Sequence, residues 1–380
     1  MLTTWDQEEV FFSGDLFFER LLKDIDEAKE FISVEVYLYR DDILGRKLAA
    51  HLIAAHERGV KVQIVVDGVG SHDFSSKLHA VFSRKGITVK MYNPLPFYHP
   101  YYGKLTPWRK LQIFSTRVIR LNKRNHRKIF IIDGNILYTG SYNVTAVHTR
   151  FHHDLPWKDM GVRVTGNKVR FAVLNFKKIW KLRDYYRYKK QTKSLAKISW
   201  KKFPLRLNHT VFMRHFQQKD FQERIKKSQQ KIWLTTPYFI PKRKLIRSLG
   251  TAAKRGVDVR ILIAHKNDVK LFRTLQYFYY GYLLNKGVKV YHYTDTVLHA
   301  KNYIIDNWTT IGSTNLNHRS FMHDLEVDLV IEDEKNVKLI EEEFLKSISE
   351  ENSISQEKLN RRPLLDRFLC RLFFIFKYWF

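Results

Sequence analysis

The sequence predicts an α/β protein of two tandem halves, each a mixed β-sheet flanked by helices. Two observations carry this. A pattern of His-x-Lys, four residues, Asp, a short gap and Gly-Ser-x-Asn occurs twice, in NHRKIFIIDGNILYTGSYNVT from Asn125 and in LHAKNYIIDNWTTIGSTNLNHRS from Leu298. The segments around each copy also match one another in order and in hydrophobic pattern. With 380 residues, 44% of them hydrophobic, the chain is long enough for two such units.

The elements follow in order. FISVEVYLYRDDILGRKLAAHLIAAHERGVKVQIVVDG, from Phe31, aligns with KIWLTTPYFIPKRKLIRSLGTAAKRGVDVRILIAH, from Lys231. Each reads as a buried strand, an amphipathic helix, a Gly-Val turn and a second apolar strand. RKGITVKMY and NKGVKVYHY each add a short strand. After the motif copies, VRFAVLNFKKIW from Val169 aligns with VKLIEEEFLKSI from Val337. Val169, Val173, Phe176 and Trp180 recur at helical spacing, which predicts helices lying on the sheets. These units place a first half at 1–193, a basic connector at 194–207, a second half at 208–356 and a tail at 357–380. The stretch from Lys177 to Arg206 holds twelve Lys or Arg against one acid, Asp184.

The halves differ in one place. From Gly86 to His126 is 40 positions, against 12 from Gly287 to His299. The excess falls at 93–120, NPLPFYHPYYGKLTPWRKLQIFSTRVIR. A long loop in a compact domain is functional or disordered, and the aromatics here argue against disorder.

The net charge of +29 implies an anionic partner: nucleic acid, an anionic membrane surface or phosphate-bearing substrates. No uncharged apolar run approaches the length of a spanning helix, and MLTTWDQEEV does not read as a signal peptide. The single cysteine, Cys370, excludes an internal disulfide framework and fits a reducing compartment.

Side chains at i and i+2 of a strand share a face, so His126 lies beside Lys128 and His299 beside Lys301. Asp133-Gly134 signals a hairpin, which returns Gly140, Ser141 and Asn143 to the first pair; Gly312, Ser313 and Asn315 return likewise to the second. Two imidazoles, two ammonium groups, two hydroxyls and two amides then converge. That set suits phosphodiester chemistry. Lysines and asparagines hold the phosphate oxygens, one histidine attacks phosphorus and the other protonates the leaving alkoxide. No metal or other cofactor is called for, since the site carries neither a carboxylate cluster nor a zinc-like Cys/His spacing. The turn positions of Asp133 and Asp306 point to a structural role. The second copy is one residue shorter between its Asp and its Gly. A loss inside a strand would turn every later side chain over, so it must fall in the turn near Asn307.

The duplicated motif resembles that of the phospholipase D superfamily, and most closely the bacterial cardiolipin synthases. VEVYLYRDDILGRKL, VVDGVGS and GSTNLNHRSF carry the likeness, which extends over nearly the whole chain. The resemblance implies two phospholipase D-like domains related by a pseudo-twofold axis, with one active site at their junction. It implies a ping-pong phosphatidyl transfer with His126 as nucleophile and His299 as general acid/base. It also implies an acid orienting each imidazole; WKDMGVRV and DLEVDLVI supply Asp159 and Glu326.

The superfamily also holds nucleases and hydrolytic phospholipases, so the motif sets the bond and not the substrate. The tail favours lipid. As a helix, RRPLLDRFLCRLFFIFKYWF gathers Asp366, Arg367, Arg371 and Lys377 on one side, with Leu365, Phe368, Leu372, Phe376 and Trp379 over much of the rest. Such a helix suits lying in a bilayer interface. The expectation is a peripheral enzyme on the cytoplasmic side of an anionic phospholipid membrane, with phosphatidylglycerol as substrate and no nucleic-acid partner. The alternatives are a hydrolase releasing phosphatidic acid and a metal-independent nuclease.

Overall fold

The computed structural model describes residues 4–72, 74, 77–95, 106–120, 122–150, 154–181, 203–266 and 270–363. The first half opens with β1 (Gln7–Phe11) and α1 (Gly14–Asp26). Next come β2 (Phe31–Val36), α2 (Ile43–Glu57), β3 (Lys61–Asp67), α3 (Leu78–Arg84) and β4 (Thr88–Tyr92). After α4 (Pro107–Arg120) follow β5 (Lys128–Ile132), β6 (Ile136–Gly140), β7 (Gly161–Thr165) and α5 (Arg170–Lys181). Strands β2, β3 and β4 run parallel, as the strand–helix–strand order requires, and β5 pairs antiparallel with β2. The sheet is therefore mixed, in the order β1-β7-β6-β5-β2-β3-β4.

The second half repeats the plan. It runs through β8 (Leu205–Leu207), α6 (Val211–Lys227), β9 (Lys231–Thr236), β10 (Phe239–Ile240), α7 (Arg243–Lys254), β11 (Asp258–Ala264), α8 (Lys270–Leu284) and β12 (Lys289–Tyr293). It continues with β13 (Asn302–Ile305), β14 (Trp308–Gly312), β15 (Leu316–Asn317), α9 (His318–Met322), β16 (Val327–Ile331), α10 (Glu334–Lys346) and α11 (Gln356–Asn360). Its sheet order, β12-β11-β9-β13-β14-β16-β8, matches the first sheet strand for strand, so a pseudo-twofold relates the halves. Several helix starts carry the capping residues that polar side chains next to apolar runs predict: Asp42 accepts from the Gly45 N–H, Thr210 from Met213 and Asp333 from Asn336.

Alternation along the strands divides the core. In β5, Phe130 and Ile132 face an outer cluster with α1 and α2, including Leu21, Leu48 and Leu52. Ile129 and Ile131 face the opposite way, into a central cluster that also holds Trp233, Ile304, Ile311, Val327 and Leu329 of the second half. The inner faces of the two sheets thus share one core, with Phe176 of α5 and Phe344 of α10 inside it.

The shortened second motif is absorbed in the turn. Ile132 pairs with Ile136 across three residues, whereas Ile305 pairs with Trp308 across two, Asp306 and Asn307. The strands beyond keep equivalent register.

Two expectations are adjusted. The 93–120 stretch is not an open loop throughout, because residues 107–120 form α4. Its base is closed by Asn93, whose side chain donates to Lys123 O at 2.9 Å and whose carbonyl accepts from Arg124 at 2.9 Å. The stretch read as connector contains β8, which pairs with β16 in the second sheet. Of the tail, α11 packs Leu359 against the outer core of the second half. Residues 364–380, and 182–202 of the basic stretch, lie outside the described residues. No helix among the described residues is long and apolar enough to cross a membrane.

Candidate active site

Each motif enters its sheet while leaning on the other half. Asn125 forms a parallel bridge with Leu325, and Leu298 with Lys158. The His126 N–H donates to Leu325 O at 2.9 Å and the His299 N–H to Lys158 O at 2.8 Å. Both histidines therefore sit on extended segments just ahead of β5 and β13, and not on the regular strands expected for them. Lys128 donates to His126 O at 2.5 Å, and Lys301 to His299 O. The two His/Lys pairs meet at the pseudo-twofold axis, all four side chains largely buried.

The orienting carboxylates cross between the halves. His126 Nδ1 donates to Glu326 Oε2 at 3.0 Å, and His299 Nδ1 to Asp159 Oδ2 at 2.7 Å. A carboxylate on Nδ1 fixes the tautomer and leaves the Nε2 lone pair free. Each acid is itself held by the serine of its own half: Ser313 donates to Glu326 at 2.5 Å and Ser141 donates to Asp159. Asn143 and Asn315 are buried, and neither amide oxygen has a hydrogen-bond partner among the described residues.

The electrostatics follow from burying like charges together. Burial and the Lys301 charge push Lys128 down to about 7. Burial, then both lysines, hold His126 well below its ordinary value; burial and Lys301 lower His299 against the pull of Asp159. Burial raises Glu326 to about 7. Burial also works against the charge of Asp159, yet His299, His148 and Lys301 hold it well below the usual carboxylate range. An unliganded site at neutral pH thus presents neutral imidazoles. An anion bound between the lysines would offset their charge and raise the proton affinity of His299.

The remaining motif residues are structural. Asp133 accepts the N–H groups of Lys29, Glu30 and Phe31 at 2.8–3.0 Å, and Asp306 those of Gln229, Gln230 and Lys231 at 2.9–3.1 Å. Both stand at the far end of their hairpins with positive φ, 50° and 49°. Gly140 has φ 139°, and a Cβ there would stand 2.5 Å from Met160 O. A Cβ on Gly312 would meet Val327 O at the same 2.5 Å.

Several residues about the site are not among those the motif singles out. The Tyr37 ring packs edge-on to His126 at 5.0 Å, with Lys128 above it at 5.2 Å. Buried Glu35 accepts from Asn125 at 2.9 Å and lies 3.5 Å from Arg127, whose Nε donates to Glu326 O at 3.1 Å. His148 and Ser320 lie beside Asp159 and Glu326 respectively. Each falls five positions after its motif asparagine, a signal present in the internal alignment. Among the described residues, His148, Asp159 and His299 offer ligand atoms within 4.8 Å of one another, but His299 Nδ1 is already engaged by Asp159.

Comparison with known proteins agrees with this geometry. A family model described as "Cardiolipin synthase, PLD-like domain" matches residues 21–159 and 221–348, more than half of the chain. Cardiolipin synthase 2 of Staphylococcus epidermidis is 28% identical, over 97% of this chain and 73% of that protein. A cardiolipin synthase of Listeria welshimeri is 29% identical, over 97% and 74%. The crystal structure of a phosphatidylserine synthase from Haemophilus influenzae shares the fold, with a TM-score of 0.72, 16% identity and coverage of 99% of this chain and 95% of that one. The chain belongs to the cardiolipin synthase family of the phospholipase D superfamily.

Proposed function

We propose that the protein is a cardiolipin synthase-type phosphatidyltransferase that works through a phosphohistidine on His126. The observation that carries this is the crossed pairing, in which each imidazole is oriented by a carboxylate from the opposite half. His126 Nε2 attacks phosphorus, and the bond from phosphorus to the leaving glycerol oxygen breaks. His299 gives that oxygen a proton. Lys128 and Lys301 hold the non-bridging oxygens, with Asn143 and Asn315 beside them. His299 then takes the proton from a phosphatidylglycerol hydroxyl, which attacks phosphorus and frees His126. With phosphatidylglycerol as both donor and acceptor, the products are cardiolipin and glycerol.

The membrane reading rests on charge and on α4. Its sequence, PWRKLQIFSTRVIR, has four Lys or Arg and no acid, and Trp108, Leu111 and Val118 project into solvent at 76%, 58% and 42% exposure. A helix whose sequence carries only basic charge and which exposes an apolar stripe suits an anionic interface. The protein then works as a peripheral enzyme on the cytoplasmic face.

Incubating the purified protein with phosphatidylglycerol vesicles tests the proposal. Cardiolipin and glycerol are expected, in EDTA as well as without it. Phosphatidic acid as the sole product would make the enzyme a hydrolase, and cleavage of nucleic acid without lipid turnover would make it a nuclease.

A further inference from the structure

We propose that His148 is a positioning residue for His299, acting through Asp159, and that His148–Asp159 is a unit interchangeable with Ser320–Glu326. The inference rests on the reading of His299 as the acid/base. The pseudo-twofold places His148 and Ser320 at equivalent positions, and their contacts match. His148 Nε2 accepts the Asn143 N–H at 3.3 Å, and Ser320 Oγ accepts the Asn315 N–H at 3.2 Å. On its other side each meets the orienting acid of its own half. His148 Nδ1 stands 3.1 Å from Asp159 Oδ2, off the line of a straight hydrogen bond, and the Ser320 hydroxyl lies beside Glu326 and favours its carboxylate form.

The sizes are complementary. A short carboxylate, Asp159, is paired with a long side chain; a long carboxylate, Glu326, is paired with a short one. Either combination spans the gap between the asparagine backbone and the imidazole across the axis. His148 has no solvent exposure and is fixed by edge-on packing against Tyr142 and Trp157, each at 5.7 Å. It touches the same Asp159 oxygen that receives His299 Nδ1. Without it, that oxygen loses a neighbour that limits its rotation, and the carboxylate holds the His299 imidazolium less well.

The test compares H148F, H148N, H148S, D159E and the double variant H148S/D159E for lipid transfer, with kcat and KM separated and the pH profile of kcat recorded. H148F keeps the bulk and removes both polar contacts. It is expected to lower kcat by roughly ten- to a hundredfold with KM within about threefold, and to move the limb belonging to the protonated acid to lower pH. H148N, which retains a donor and an acceptor, should recover most of the loss. H148S and D159E should each lose activity, and the double variant should exceed the product of the two by at least about tenfold. Thermal unfolding of every variant separates folding from chemistry. A folded H148F with unchanged kcat and pH profile overturns the positioning role. A double variant that is merely additive, or that does not fold, overturns the interchange. Transfer that survives H299A overturns instead the reading of the site on which the inference rests.

Discussion

At His126 the chemistry depends on where one proton sits. Glu326 holds it on Nδ1, which leaves the Nε2 lone pair free. Replacing His126, the proposed nucleophile, with asparagine should lower transfer by about a thousandfold or more, measured as cardiolipin formed per folded protein. Lys128 sets a pH dependence. With its value at about 7, the ammonium is lost progressively above pH 7, so binding a phosphate anion is coupled to proton uptake from solution. Affinity for inorganic phosphate, read by calorimetry, should therefore fall by up to about tenfold per pH unit above 7, with proton uptake on binding. A pH-independent affinity between 7 and 9 would contradict this. The His/Lys pairs were legible in the sequence because the motif occurs twice. His148 was not, because histidine and serine look unrelated until the fold shows them making the same contacts.

At the scale of elements, the β5–β6 hairpin separates chemistry from support. Asp133 holds three backbone N–H groups at the end remote from His126. Asp133→Ala should lower stability by about 1–2 kcal/mol in denaturant unfolding while kcat per folded molecule stays near the native value. The short second turn was legible, since only a loss between strands preserves the side-chain faces. Helix α4 was not. Sequence reasoning looks for apolar stripes that face a core, and Trp108, Leu111 and Val118 face outward. The double variant W108E/L111E should weaken sedimentation with anionic vesicles by about tenfold or more, since it removes apolar area and adds like charge at the lipid surface. Turnover of a short-chain lipid dissolved as monomer should hardly change. Unaltered vesicle binding would exclude α4 as a docking surface.

Across the whole molecule, the internal repeat made two similar sheets readable, and their equal strand order carries that through. The crossing of the carboxylates was not readable. Aligning WKDMGVRV with DLEVDLVI identifies Asp159 and Glu326, but only the shared central core brings each to the histidine of the other half. Chain position also misleads at the boundaries, where β8 joins a sheet whose other strands come later in the sequence. The crossing predicts coupling between halves. E326Q should cost roughly a hundredfold in kcat alone and almost nothing further beside His126→Asn, with the same relation between D159N and His299→Asn. The central claim is tested most directly by quenching the enzyme during turnover of phosphatidylglycerol and locating the bound phosphatidyl group by peptide mass spectrometry. The account predicts the group on His126, chased into cardiolipin when fresh phosphatidylglycerol is added. A group found on His299, or no covalent species with phosphatidic acid as the sole product, would contradict it.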